Sequence, residues 1–186
     1  MIGAHVGAGS VEDVMEGRFT DPGFKVRVFA DEVLVRCPVC GDCALVLASL
    51  GGCEHHWVKG RQHTRRRLRC GCGYTKDELQ DSRALGGPVD PCFRLPLWLT
   101  ADCRGRQFWA YNLAHLDLLE GYIGAGLRER SAVPGSMSLV ERLPAWMKSA
   151  KHREELLRTI RRLRGSVPGA HQPATAAPLT ARPAPY

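Results

Sequence analysis

The sequence predicts an α+β protein in which antiparallel strands come first and helices follow. Three patterns predict it. Six of the eight cysteines fall between Val35 and Tyr74, clustered at the ends of apolar and basic runs. Two apolar, aromatic-bearing runs, Leu95 to Thr100 and Gln107 to Tyr111, flank a polar turn containing Gly105. Beyond Asn112, apolar residues recur at spacings of three and four, the helical period.

Taken in order, residues 1–22 are rich in glycine and acids and carry no sustained period, which reads as a flexible arm. A terminal strand or short helix docked on the cysteine-bearing module is the alternative. That module occupies residues 23–80. Val26, Val28, Phe29, Val33, Leu34 and Val35 read as strand material over 25–36, and Cys43 to Leu50 as a short apolar strand ended by Gly51-Gly52. Cys53 to His63 reads as a loop, and Arg65 to Cys70 as a basic strand. Residues 77–91, with Gly86-Gly87-Pro88, read as a turn-rich connector.

Residues 81–164 hold the aromatic hairpin and the helical region. Asn112 stands at an N-cap position before Leu113, Leu116, Leu119, Ile123 and Leu127, so a helix is expected over about 113–130. Gly121, Gly124 and Gly126 weaken it by up to about 1 kcal/mol each, and close helix packing accounts for them better than a phosphate loop. A last helix is expected from Pro144 towards Arg164, with Trp146, Met147, Ala150, Leu156, Leu157, Ile160 and Leu163 on one stripe and Gly165 as its C-cap. Residues 165–186 are Pro/Ala-rich, nearly uncharged, and read as a disordered tail. Trp98, Phe108, Trp109 and Tyr111 are expected in the core that joins hairpin to helices.

The chemistry lies in the cysteines. Cys37-Pro-Val-Cys40-Gly41 and Cys70-Gly71-Cys72-Gly73 each pair two thiols and follow the second with glycine. A glycine there admits positive φ, so the chain turns back and its N–H groups point at sulfur. Two such knuckles supply four thiolates, a closed tetrahedral zinc site, and make the module a zinc ribbon. Cys37, Cys40, Cys70 and Cys72 are therefore the expected ligands of one Zn2+. The 29 residues between Cys40 and Cys70 exceed the usual 15–20, so the intervening tip is extended. The single residue between Cys70 and Cys72 requires a tighter turn.

Cys43 continues the Cys-x2-Cys pattern like the start of an iron–sulfur run, but the fourth position of that run is Leu47. Cys43 reads better as a small apolar core residue, as do the single cysteines Cys53, Cys92 and Cys103. Replacement of a ligand by Cys43, Cys53 or one of His55, His56 and His63 stays open. A disulfide framework is the rival use of these cysteines. Four thiolates leave no open coordination position, and no His-Glu-x-x-His, Gly-x-Ser-x-Gly or Gly-Lys-Ser/Thr motif is present, so an enzyme is not expected.

Charge is unevenly placed along a chain of net charge +7. Residues 25–76 carry ten Lys/Arg against four acids, and residues 141–164 carry eight against three. Arg61, Arg65, Arg66, Arg67 and Arg69 sit beside Trp57 and Tyr74, a pattern suited to phosphates and stacked bases. Pairing of these arginines with the acids of 77–90 is the competing reading. No 18-residue apolar run is present, and the N-terminal residues lack the pattern of a secretory signal, so a cytoplasmic location with reduced thiols and no membrane contact is expected.

Several blocks carry a resemblance: Cys-Pro-x-Cys, Cys72 to Asp77, Gly86 to Pro91, Leu95 to Leu99, Phe108 to Leu116, Leu127 to Arg130 and Leu143 to Leu157. Together they resemble a bacterial family of small zinc-ribbon-containing proteins, labelled after the ribbon of general transcription factor IIB, some of them loosely called replication proteins. The resemblance spans about Val35 to Leu163 and implies a zinc ribbon, without an activity. The family's second knuckle is Cys-x-x-Cys-Gly-Tyr, one residue longer than here, and Gly51 to His63 looks like an insertion. The function expected is a non-enzymatic, nucleic-acid-associated module that uses the basic strand on DNA or RNA. The alternative is a protein-interaction adaptor with a purely structural zinc, docking a partner through the ribbon or the final helix.

Overall fold

The computed structural model describes residues 17–48, 55–58, 61–81, 85–129 and 137–171. Nine strands are described: β1 (Arg18–Thr20), β2 (Glu32–Arg36), β3 (Cys43–Ala48), β4 (His55–Val58), β5 (Arg61–Cys70), β6 (Thr75–Asp81), β7 (Thr100–Asp102), β8 (Gln107–Trp109) and β9 (Leu127–Glu129). The α-helices are α1 (Leu113–Gly124), α2 (Ala145–Lys148) and α3 (Arg153–Gly165). The fold is α+β.

Strands β2 to β6 make one antiparallel sheet. The long β5 carries β6 along one edge, and β3 and β4 in succession along the other. β2–β3 and β5–β6 are therefore two hairpins joined through β3 and β5. With Ala44 opposite Cys70, both hairpin tips lie at the same end of the sheet.

The outer edge of β2 ties this sheet to the rest of the molecule. Arg36 N–H donates to the Pro96 carbonyl, Trp98 N–H to Leu34, and Leu34 N–H to Tyr111, at 2.8–2.9 Å. Leu34, Leu97, Leu99, Phe108, Tyr111, Leu116, Ile123 and Ile160 are all fully buried in one continuous core. Phe108 and Tyr111 are thus core residues, while Trp98 and Trp109 pack against the core half-buried. β7 and β8 form the aromatic hairpin, starting at Thr100 rather than Leu95, because residues 96–98 are taken by the edge of β2.

Several sequence expectations are corrected. Val26–Phe29 is a 3-10 turn, not strand, and it swings Phe29 into the core while leaving Val28 exposed. Residues 55–58 and 61–64 pair as strands where a loop was expected. The strand β6 runs to Asp81, through residues read as connector. Its charged sequence suits an edge strand and hides the period. Helix α1 stops at Gly124 instead of 130, because 127–129 pair in parallel with β1.

That β1 strand lies within the span read as an arm; residues 1–16 are outside the described residues. The last helix is interrupted at the extended Ser149, where Arg128 Nη1 donates to the Lys148 carbonyl. Gly165 is the final helical residue and Ser166 the cap. A 3-10 turn at Gly169–His171 follows, and the tail from 172 onwards is outside the described residues. Leu156, Ile160 and Leu163 of α3 are buried, and Arg164 bridges Asp117 and Glu120 of α1.

Asn112 holds sheet and helix together. Its Oδ1 accepts from His115 N–H as the α1 N-cap, and its Nδ2 donates to the Phe29 and Glu32 carbonyls at 3.0 and 2.8 Å. Removing it strips a cap and leaves two carbonyls unpaired in a largely buried position. Asn112→Ala is expected to destabilise the protein by about 3 kcal/mol in urea unfolding. A loss below about 0.5 kcal/mol would show that the tie carries no energy.

Candidate metal centre

The two cysteine pairs occupy the two adjoining hairpin tips. In the β2–β3 tip, Cys37 N–H donates to the Asp42 carbonyl at 2.8 Å and Gly41 N–H to Cys37 at 3.0 Å. In the β5–β6 tip, Cys70 N–H donates to Tyr74 and Gly73 N–H to Cys70, both at 3.0 Å. The second loop closes in one residue fewer, the tighter turn that its spacing requires. Gly41 and Gly73 have φ of +78° and +90°, so the glycine after each second cysteine adopts the conformation that L side chains avoid.

This turn aims backbone N–H groups at sulfur. Val39 N–H lies 3.4 Å from Cys37 Sγ. Burial would raise the Cys37 thiol, but the N–H groups of Cys40 and Val39, with the Cys70 and Cys40 thiols, outweigh it and lower it to about 7. At Cys40 the Asp42 N–H lowers the pKa, but desolvation and the neighbouring Cys70, Cys72 and Cys37 sulfurs push it up to about 12. The cluster thus favours a thiolate at Cys37 and resists one at Cys40 and at Cys70. Four thiolates so close together need a cation among them.

The four Sγ atoms lie within 4.8 Å of one another. Cys37 and Cys72 are 3.8 Å apart, and Cys40 and Cys70 are 3.5 Å apart. Four sulfurs each about 2.3 Å from a tetrahedral ion stand about 3.8 Å from each other, so this cage fits a metal ion with small adjustment. The distances are too long for disulfides, and the seven cysteines of the described residues are free thiols. Cys37 is buried, Cys70 half-buried, and Cys40 and Cys72 face solvent.

The remaining candidates separate clearly. Cys43 is buried in the core, and burial first, then the Cys70 sulfur, pushes its thiol up to about 12. Cys92 is likewise raised to about 12 by burial, and Cys103 Sγ lies 3.6 Å from Thr159 Oγ1. Cys53 and the side chains of His55, His56 and Trp57 are outside the described residues. His63 is half-buried on β5 and does not join the four-cysteine cluster.

The basic strand divides by strand alternation. Arg65, Arg67 and Arg69 are exposed, whereas Arg66 is only 6% exposed and points the other way. Arg66 Nε donates to Gln80 Oε1 at 2.6 Å and Nη1 to the Asp31 carbonyl, so it is a structural group, correcting its place among surface contacts. Arg67 forms a two-pronged pair with Asp77 at 2.7 and 2.8 Å, one instance of the pairing with the acids of 77–90. The Arg61 side chain is outside the described residues.

One group to which the sequence assigns no role, although it lies in the block Phe108 to Leu116, is His115, buried beneath Trp109 and Tyr111. Only its place three residues after the capping Asn112 hints at a role. Comparisons with protein-family models, with curated proteins and with solved structures gave no match. Among the described residues no helix is long and apolar enough to cross a membrane.

Cobalt(II) titration followed by visible absorption checks the ligand set. Cys37→Ser, Cys40→Ser, Cys70→Ser and Cys72→Ser are each expected to lose the tetrahedral thiolate spectrum, while Cys43→Ala and Cys92→Ala retain it. A spectrum that survives Cys72→Ser but not Cys43→Ala would move Cys43 into the site.

Proposed function

We propose that the four thiolates hold Zn2+, and that the protein is a non-enzymatic zinc ribbon which contacts nucleic acid through the outward face of β5. The soft, all-sulfur donor set and near-tetrahedral spacing support zinc over hard cations such as Mg2+ or Ca2+. Residues Cys37, Cys40, Cys70 and Cys72 would hold the ion, with the N–H groups of the two turns supporting their sulfurs. Four sulfurs close the coordination sphere, so the ion contributes folding energy and offers no position for water or substrate.

The observation that carries the nucleic-acid reading is the alternation Arg65, Arg67, Arg69, all exposed on one face beside the metal tip. Strand geometry spaces them about 6.6 Å apart in a row. Asp77 neutralises Arg67, which leaves Arg65 and Arg69 to meet phosphates. Arg66 supplies the built-in control, because its guanidinium is spent inside the protein.

A second reading, the protein adaptor, draws on the exposed Val39 at the first knuckle and Leu79 opposite Arg65. Its apolar contact would come from the sheet and its tips, since the stripe of α3 is already buried. Retention of a protein partner through nuclease and moderate salt would favour it.

Fluorescence anisotropy with single- and double-stranded DNA and RNA tests the first reading. Arg65→Ala/Arg69→Ala is expected to weaken binding and to reduce the slope of log affinity against log salt by about 1.5–2, with folding unchanged. Arg66→Ala should instead lower stability. Absence of binding to every nucleic acid at low salt, or an unchanged slope in the double variant, would sink the proposal.

A further inference from the structure

A cavity of about 390 Å³ opens between the β8 end of the hairpin, the start of the Val26 turn, α1 and the segment before α2. Trp109, Val26, Leu119, Leu139 and Met147 form its apolar wall. Such a volume, largely apolar with a few placed polar groups, is the usual make-up of a small-molecule site. Lys25 and Gln107 also line the cavity, Lys25 Nζ donating to the Met137 carbonyl at 2.7 Å and Gln107 Nε2 to Thr100 Oγ1 at 3.2 Å. Two further polar groups have chemistry to offer a ligand.

The first is His115, which lines the cavity and is only 2% exposed. Its ring stacks on Phe29 at 4.8 Å and meets Trp109 and Tyr111 edge to face, so its orientation is held on three sides. Its Nδ1 accepts from Tyr111 N–H at 3.2 Å and therefore carries no proton. Burial lowers its pKa to about 4, so the ring is neutral near pH 7 and its proton sits on Nε2. That N–H has no partner among the described residues. The side-chain nitrogens and oxygens that are both fully enclosed and unpartnered are Asp90 Oδ1, Arg128 Nε and Arg153 Nε. His115 Nε2 is not among them, so it retains access to the cavity.

The second is Arg142, exposed at the rim, with no ion-pair or hydrogen-bond partner for its guanidinium among the described residues. Glu141, its acidic neighbour in sequence, accepts from Ser138 N–H instead. The lining therefore carries two cations, Lys25 and Arg142, around an apolar chamber, and the interior carries one directed donor.

We propose that this cavity binds a small aromatic carboxylic acid, its ring against Trp109, its carboxylate at Arg142 and an acceptor atom towards His115 Nε2. An apolar acid gains from each part: ring burial, a charge-assisted pair at the rim, and an inner hydrogen bond that satisfies the histidine. The site stands apart from the four cysteines and from the β5 arginines, so it is independent of the metal and nucleic-acid readings.

The test uses the full-length, metal-loaded protein with 2-naphthoate as probe and 2-naphthamide as its uncharged isostere. Binding is followed by tryptophan fluorescence and by the imidazole 15N signals of His115. Saturable naphthoate binding with a shift of the His115 Nε2 signal is expected. Arg142→Gln should weaken naphthoate by about tenfold or more while leaving naphthamide nearly unchanged. Leu143→Trp, which fills the half-buried wall near the rim, should abolish binding of both. Binding that is absent up to millimolar probe, indifferent to Leu143→Trp, equally weakened for acid and amide by Arg142→Gln, or silent at His115 would overturn the proposal.

Discussion

The antiparallel pairing of β3 with β5 is the constraint on which the rest of the molecule depends. It takes two hairpins separated along the chain by β4 and sets their tips side by side, with Ala44 opposite Cys70. A slip of one residue would move Cys70 away from Cys37 and Cys40, and would turn Leu68 outward and Arg69 inward. Register therefore decides two things at once. It gathers four sulfurs within 4.8 Å, and it chooses which arginines of β5 reach solvent.

The same sheet is held from its opposite edge. β2 gives its outer hydrogen-bonding groups to residues 96–98 and Tyr111, and Asn112 then fastens the start of α1 to the Phe29 and Glu32 carbonyls. The core is continuous from Val33 and Leu34 through Leu97 and Phe108 to Ile160. The four-cysteine tip is the end where this apolar support is thinnest, since Cys40 and Cys72 face solvent. An ion bound there would supply cohesion where side-chain burial does not.

The two cysteine turns were legible in the sequence because their determinants are local. Two thiols separated by one or two residues and followed by glycine dictate a turn, and Gly41 and Gly73 adopt the positive φ that the pattern demands. What was illegible depends on partners distant along the chain. The end of α1 is set by β1, which claims residues 127–129. β6 is a strand because β5 pairs with it, although Lys76-Asp77-Glu78 carries no apolar alternation. A run of three arginines has no inside or outside until register is known, which is why Arg66 looked like its neighbours. His115 is silent for the same reason: its chemistry arises only where Phe29, Trp109 and Tyr111 surround it.

The central claim is that Cys37, Cys40, Cys70 and Cys72 close around a single zinc that staples the two hairpin tips. Zinc K-edge X-ray absorption of the purified protein measures this most directly. Four sulfur neighbours at about 2.3 Å, with no nitrogen or oxygen in the coordination sphere, are expected. A protein without zinc, or zinc with fewer than four sulfurs, would contradict the claim.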